Sequence, residues 1–213
     1  IRAVKFIATH TTMHVGAVGT TPTSFDTWGA ATTRIDEKDG MNGSRRAAMF
    51  MSPESYRTMI SGTPNALALF HNGDEGGNDM FREGSMPRYS GYDLEKSMGL
   101  YNHTTGIFAN VATITISTSV ASGDQTLVLA CATGDTARAG DFFSVATRYD
   151  VNPRTRQPLG TRERHLTVGG AAGTVYTAVA NVLTVPLVEP IYGPSSIYQN
   201  ISSLPVAADV DPI

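Results

Sequence analysis

Five arginines crowd into seventeen residues: Arg148, Arg154, Arg156, Arg162 and Arg164. Only Asp150 and Glu163 stand against them in that stretch. A guanidinium offers five donors in a planar fork, so it pairs bidentately with carboxylates or phosphates. Pro153 and Pro158 place part of this run in a loop. Three uses fit: a contact to an acidic surface on a neighbouring subunit, a solvated loop, or a phosphate contact. Tyr149 is the one aromatic side chain in the run, too few for base stacking, which disfavours nucleic-acid reading.

Other chemistry is thinner. His10 and His14 have the i, i+4 spacing of a zinc-hydrolase helix, but Thr11 stands where that motif needs a glutamate base, so they read as ordinary polar histidines. Asp74, Glu75, Asp79 and Glu83 lie in an acidic, Gly-rich stretch at 71–84. Their spacing does not follow the EF-hand loop, so the expectation is a solvated loop or acidic contact patch rather than a calcium site. No Gly-x-Ser-x-Gly elbow and no phosphate-cradling glycine loop occurs. Asn102-His103-Thr104 and Asn200-Ile201-Ser202 match the glycosylation pattern without other signs of secretion. The expectation is therefore a chain that is not an enzyme, with no catalytic residue, cofactor or metal.

Composition bounds the rest. The 213 residues are 41% hydrophobic and 16% charged, with 21 glycines, which favours strands, tight turns and broad contact surfaces. The net charge of −3 carries no bulk signal for gripping nucleic acid. Cys131 is the only cysteine, which excludes an intrachain disulfide and a cysteine zinc site. The apolar runs are too short to span a bilayer, and no signal peptide is visible. The abrupt ends, Ile1 and Ile213, read as those of a processed or partial chain.

Residues 1–19 are apolar and small. A helix follows, with Thr23 as its cap, Phe25, Trp28, Thr32 and Ile35 on one face, and Gly40 as its stop. Residues 46–51 read as a buried strand running straight into a helix started by Ser52-Pro53-Glu54, with Tyr56, Met59 and Ile60 inward and Gly62 at its end. Phe25, Trp28 and Tyr56 read as core packing, and Gly91, Gly106 and Gly140 as turn residues. Residues 65–70 read as a short core element, and 86–96 as extended chain. From about 107 the texture changes to short strands near 111–116, 127–129, 142–145, 165–168 and 182–185, separated by Ser122-Gly123-Asp124, Gly140-Asp141, Gly169-Gly170 and Ala180-Asn181. That spacing predicts a small β-barrel or sandwich.

The order of these segments resembles the major coat proteins of the P-twenty-two type, within the Hong Kong 97 capsid fold of tailed phages. The resemblance rests on Trp28 through Asp36, Arg46-Ala47-Ala48-Met49-Phe50-Met51-Ser52-Pro53-Glu54-Ser55-Tyr56, Arg82-Glu83-Gly84, Ser90-Gly91-Tyr92-Asp93 and Asn102-His103-Thr104-Thr105-Gly106. It continues in Ala139-Gly140-Asp141-Phe142-Phe143, Tyr149-Asp150-Val151-Asn152-Pro153-Arg154-Thr155-Arg156-Gln157 and Tyr198-Gln199-Asn200-Ile201-Ser202. It implies an α+β fold, a partial Hong Kong 97-type shell domain with an inserted all-β barrel-like domain. The expected divisions are 1–106 for the shell, 107–190 for the insert and 191–213 for the return, with 23–106 and 191–206 packed as one wedge. The implied role is a major capsid protein assembling into pentamers and hexamers of an icosahedral shell, with a scaffolding protein and portal during assembly. Double-stranded DNA would lie inside without sequence-specific contact, and no membrane would be involved. Assembly in the bacterial host cytoplasm and residence in the virion follow from the same resemblance. The five arginines become candidates for contacts between subunits. A β-rich decoration or adhesion protein is the alternative, and a metal-dependent hydrolase a more distant one.

Overall fold

The computed structural model describes residues 2–16, 19–22, 24–38, 47–61, 88–89, 91–109 and 114–209. The chain is α+β, with helices beside several small separate sheets. It divides into two compact units, one built from residues 14–100 and one from residues 1–13 together with 101–213.

The 14–100 unit holds α2 (Phe25–Glu37), β1 (Ala47–Met51), α3 (Pro53–Ser61), β2 (Arg88–Tyr89) and β3 (Tyr92–Lys96). β1 and β3 run parallel from Ala47↔Tyr92 to Met51↔Lys96, and β2 folds back antiparallel on β3 around Gly91 at φ 86. Ser52 caps α3, its Oγ accepting from the Ser55 amide at 3.1 Å, as the Ser-Pro-Glu start requires. Ser24, not Thr23, occupies the N-cap of α2, and its side chain makes no capping bond. Thr23 and Gly40 lie outside the described residues, as do 65–70, the whole acidic stretch, and the side chains of Met59 and Ile60. Met51, Tyr56 and Leu94 form the core with Phe25, Trp28 and Met49 against them. β1 is buried on one face only: Met51 is inward while Phe50 is 59% exposed, because side chains alternate along a strand.

The second unit begins with α1 (Arg2–Thr9), a helix that the apolar opening of the sequence did not announce. Its strands are β4 (Thr115–Ile116), β5 (Thr126–Ala130), β6 (Thr136–Arg138), β7 (Phe142–Val151), β8 (Pro158–Thr167), β9 (Val175–Thr177) and β10 (Val182–Pro186). All pair antiparallel, as β10-β5-β4, β6-β9 and β7-β8. Alternating inward residues from the sheets meet in one core: Ile116, Leu127, Leu129, Phe143, Val145, Leu166, Leu183 and Val185. Each such side chain contributes on the order of 1.5–3 kcal/mol on burial. β6 and β9 are three residues long, too short for a periodic signal.

The expected boundaries at 106/107 and 190/191 are not where the compact units divide. Residues 191–209, expected to return to the helical portion, close the β unit instead. Ile191 and Ile201 sit in its core. The Ser202 amide donates to the Tyr149 carbonyl at 2.9 Å, Asp150 bridges Ile201, and the Ile116 amide donates to the Asp209 carbonyl at 2.9 Å. The burial of Ile191 and Ile201 and the open edge of β4 hold the segment there.

One local device recurs four times. Asp124, Asp135, Asp141 and Asp209 each end a tight turn, and each carboxylate accepts from the backbone amide three residues earlier. The preceding position has positive φ in every case: Gly123 at 100, Gly134 at 94, Gly140 at 99 and Ala208 at 72. Ala208 alone carries a Cβ there, which costs about 1–2 kcal/mol, against roughly 0.5–1 kcal/mol for glycine's lost chain entropy. Ala208→Gly should raise the stability of the β unit by about 0.5–1 kcal/mol in urea denaturation.

Candidate functional site

The arginines sit on the β7–β8 hairpin, whose geometry divides them. The strands pair regularly from Phe142↔Thr167 to Ser144↔His165, slip, and resume at Tyr149↔Glu163. Thr147 lies in the slip at φ 64, an outlier for a β-branched residue, worth roughly 1–3 kcal/mol of strain. Past it, Arg148 donates from Nε and Nη2 to Asp209 Oδ2 at 3.1 and 2.7 Å, and from Nη1 to Ser203 Oγ at 3.1 Å. The bulge thus turns the second half of β7 toward the closing segment.

Arg164 is buried, and its Nη1 donates to Asp150 Oδ1 at 3.1 Å while Nη2 donates to Glu189 Oε2. Arg148 and Arg164 therefore pair with carboxylates of their own unit. Arg162 is half-buried, and Arg154 and Arg156 are exposed at the tip. The tip is built rather than loose. Asn152 Oδ1 accepts from the amides of Arg154 and Thr155 at 2.8 and 3.1 Å, and the Arg156 amide donates to the Asn152 carbonyl at 2.8 Å. Asparagine before proline starts such a turn because its side chain imitates a backbone acceptor.

No family model and no curated protein matches this chain.

A second constellation joins an arm, residues 101–109, to the turns at Asp135 and Asp141. Asp141 Oδ1 accepts from His103 Nε2 at 2.7 Å, and Oδ2 accepts from the Gly106 amide at 2.9 Å as well as from Arg138. Asp135 Oδ1 accepts from the Ala109 amide at 2.9 Å. Gly106 is not a turn glycine: a Cβ there would lie 2.0 Å from the Thr136 carbonyl oxygen, so it is needed for close approach. Sequence reading found Gly140-Asp141 as a turn but not its grip on the arm, and it named no turn at Asp135. Glu189 and Asp209 also escaped it, since they lie 25 and 61 residues from the arginines they pair with.

The remaining candidates are modest. His10 stacks on Phe6 with ring centroids 4.0 Å apart, and its Nδ1 lies 2.9 Å from the Phe6 carbonyl oxygen; His14 belongs to the other unit. Among the described residues no group of three or more His, Cys, Asp or Glu side chains could hold a metal ion. Asp74, Glu75, Asp79 and Glu83 are outside the described residues. Burial pushes the Cys131 thiol pKa up, with the Asp135 charge adding to it, so the thiolate is disfavoured. Asn200 accepts from the Tyr192 amide and donates to the Pro190 carbonyl, while Asn102 is exposed. No described helix is long and apolar enough to cross a membrane.

Proposed function

We propose that this chain is a shell-forming part of a tailed-phage major capsid protein, whose work is self-assembly around DNA rather than catalysis. What carries the reading is the ordered run of coat-protein-like segments. Two of them, 102–106 and 139–143, meet in the fold through the bonds of His103 and Gly106 to Asp141. Many copies would form pentamers and hexamers with a scaffolding protein and portal, then enclose double-stranded DNA in the virion. The mechanism is geometric: identical subunits present complementary edges, and closed symmetry makes a cooperative shell from modest contacts. Arg154 and Arg156, exposed on a preorganised tip, are the residues of the five best placed for a contact between subunits.

One observation favours the second reading, a β-rich decoration or adhesion protein: residues 191–209 close the β unit and make it self-contained.

The test is the double variant Arg154→Ala/Arg156→Ala in the intact protein. An exposed ion pair contributes only about 0–1 kcal/mol, so the melting temperature of the subunit should hold within a few degrees. Assembly, followed by light scattering, should slow, most of all at low salt, where charges at the tip are least screened. An unfolded variant would make these arginines structural. A wild-type protein that forms no particles with its scaffold would remove the shell reading itself.

A further inference from the structure

The guanidinium of Arg164 is only part used. The residue is 6% exposed, Nη1 donates to Asp150 and Nη2 donates to Glu189, which leaves the Nε–H. Nε is buried, and among the described residues no acceptor lies within hydrogen-bond reach of it. A buried donor left in that condition carries its full desolvation cost, so native proteins nearly always supply a partner.

A small cavity adjoins this arginine. Arg164 lines it together with Thr12, His165, Thr167, Glu189 and Asn200, and it has room for one water-sized molecule. Three stretches of chain meet there: the segment just past α1, residues 164–167 of β8, and the start of the closing segment at 189–200. The meeting is fixed by bonds of its own. Thr167 Oγ1 donates to the Thr11 carbonyl at 2.9 Å, and the Asn200 side chain accepts from the Tyr192 amide and donates to the Pro190 carbonyl. Chemistry selects the occupant. Arg164 is set against two carboxylates, Asp150 and Glu189, so an anion beside it meets surplus negative charge. A cation meets the guanidinium itself. An apolar group leaves the Nε–H unmet. A neutral molecule that accepts from Nε and donates to a carboxylate satisfies every group, and at this size that molecule is water.

We propose that this cavity is a structural water site in which one ordered water accepts from Arg164 Nε and bonds in turn to Glu189 and the Thr12 hydroxyl. The water completes the bonding of the guanidinium and joins the segment past α1 to β8 and to the closing segment. The site is complete only when all three stretches are in place. The inference does not depend on the shell reading.

A density map of the intact protein, at a resolution that shows ordered water, tests this directly. The expected result is a single peak about 2.7–3.2 Å from Arg164 Nε, with the Glu189 carboxylate and the Thr12 hydroxyl at similar distances from it. A protein acceptor bonded directly to Nε, a peak too large for water, or a cavity without density in a map that shows waters elsewhere would each overturn the proposal. Thr12→Val gives a second reading in solution, because it removes the hydroxyl and keeps the branched shape. With one of the water's partners gone, the melting temperature should fall by roughly 2–4 °C. Thr12→Ser, which keeps the hydroxyl, should retain the peak. In a dry cavity a methyl fits at least as well as a hydroxyl, so a Thr12→Val melting temperature equal to or above that of wild type would also overturn the water site.

Discussion

Arg164→Ala should destabilise the β unit by about 3–5 kcal/mol, lowering its melting temperature by roughly 10–20 °C. The magnitude comes from what is left behind. Asp150 is 1% exposed and Arg164 6%, so truncating the arginine takes a cationic partner from a carboxylate that water does not reach. Glu189, the second partner, has a side chain 47% exposed, and solvent replaces the arginine there at little cost. Asp150 thus dominates the loss. Arg164→Met/Asp150→Asn, which removes both charges and keeps apolar volume, should recover at least half of it, since a missing pair costs less than a broken one. Thermal unfolding of the single and double variants measures this directly. A single variant within about 1 kcal/mol of wild type would show that water reaches Asp150.

Gly106→Ala should release the arm. Its new Cβ would lie 2.0 Å from the Thr136 carbonyl oxygen and 2.7 Å from the Ala137 Cα, both backbone atoms of β6 that cannot swing aside. Lifting the arm breaks the bonds of Gly106 and His103 to Asp141, of the Ile107 amide to Thr136 Oγ1, and of the Thr136 amide to the Ile107 carbonyl. At about 0.5–1.5 kcal/mol each, the loss is on the order of 2–6 kcal/mol. Amide exchange across 103–109 should accelerate and chymotrypsin should gain access at Tyr101. Gly99→Ala is the control: its Cβ meets only Ser97 Oγ at 3.7 Å, so stability should not fall.

These effects mark where sequence reading reaches and where it stops. β5, β10, the first half of β7 and the end of β8 were legible because inward Leu, Val and Phe alternate with outward residues, and turn residues punctuate them; the rest of β7 and β8 was not read as strand. The start of α3 was legible because Ser52, Pro53 and Glu54 each act within one turn of it. What escaped is non-local. Nothing near Ile191 or Ile201 says which core will take them, and both joined the β unit rather than the helical one. α1 is eight residues long, with no acidic residue in its first turn and no basic residue in its last, so little in the sequence marks it. For the arginines, the sequence suggested a loop, whereas they lie on the β7–β8 hairpin. The division into Arg148 and Arg164 inside the unit and Arg154 and Arg156 outside it depended on Asp209, Asp150 and Glu189. The Gly140-Asp141 turn was visible, yet its reach to Gly106 spans 35 residues, and the turn at Asp135, which reaches Ala109 across 26, was not read.

Electron micrographs of the purified intact protein, co-expressed with its scaffold, test self-assembly most directly. Closed shells of uniform diameter are the expected image. A field of discrete monomers or trimers, at concentrations where the protein is folded, would contradict the shell reading and favour the β-rich binding module.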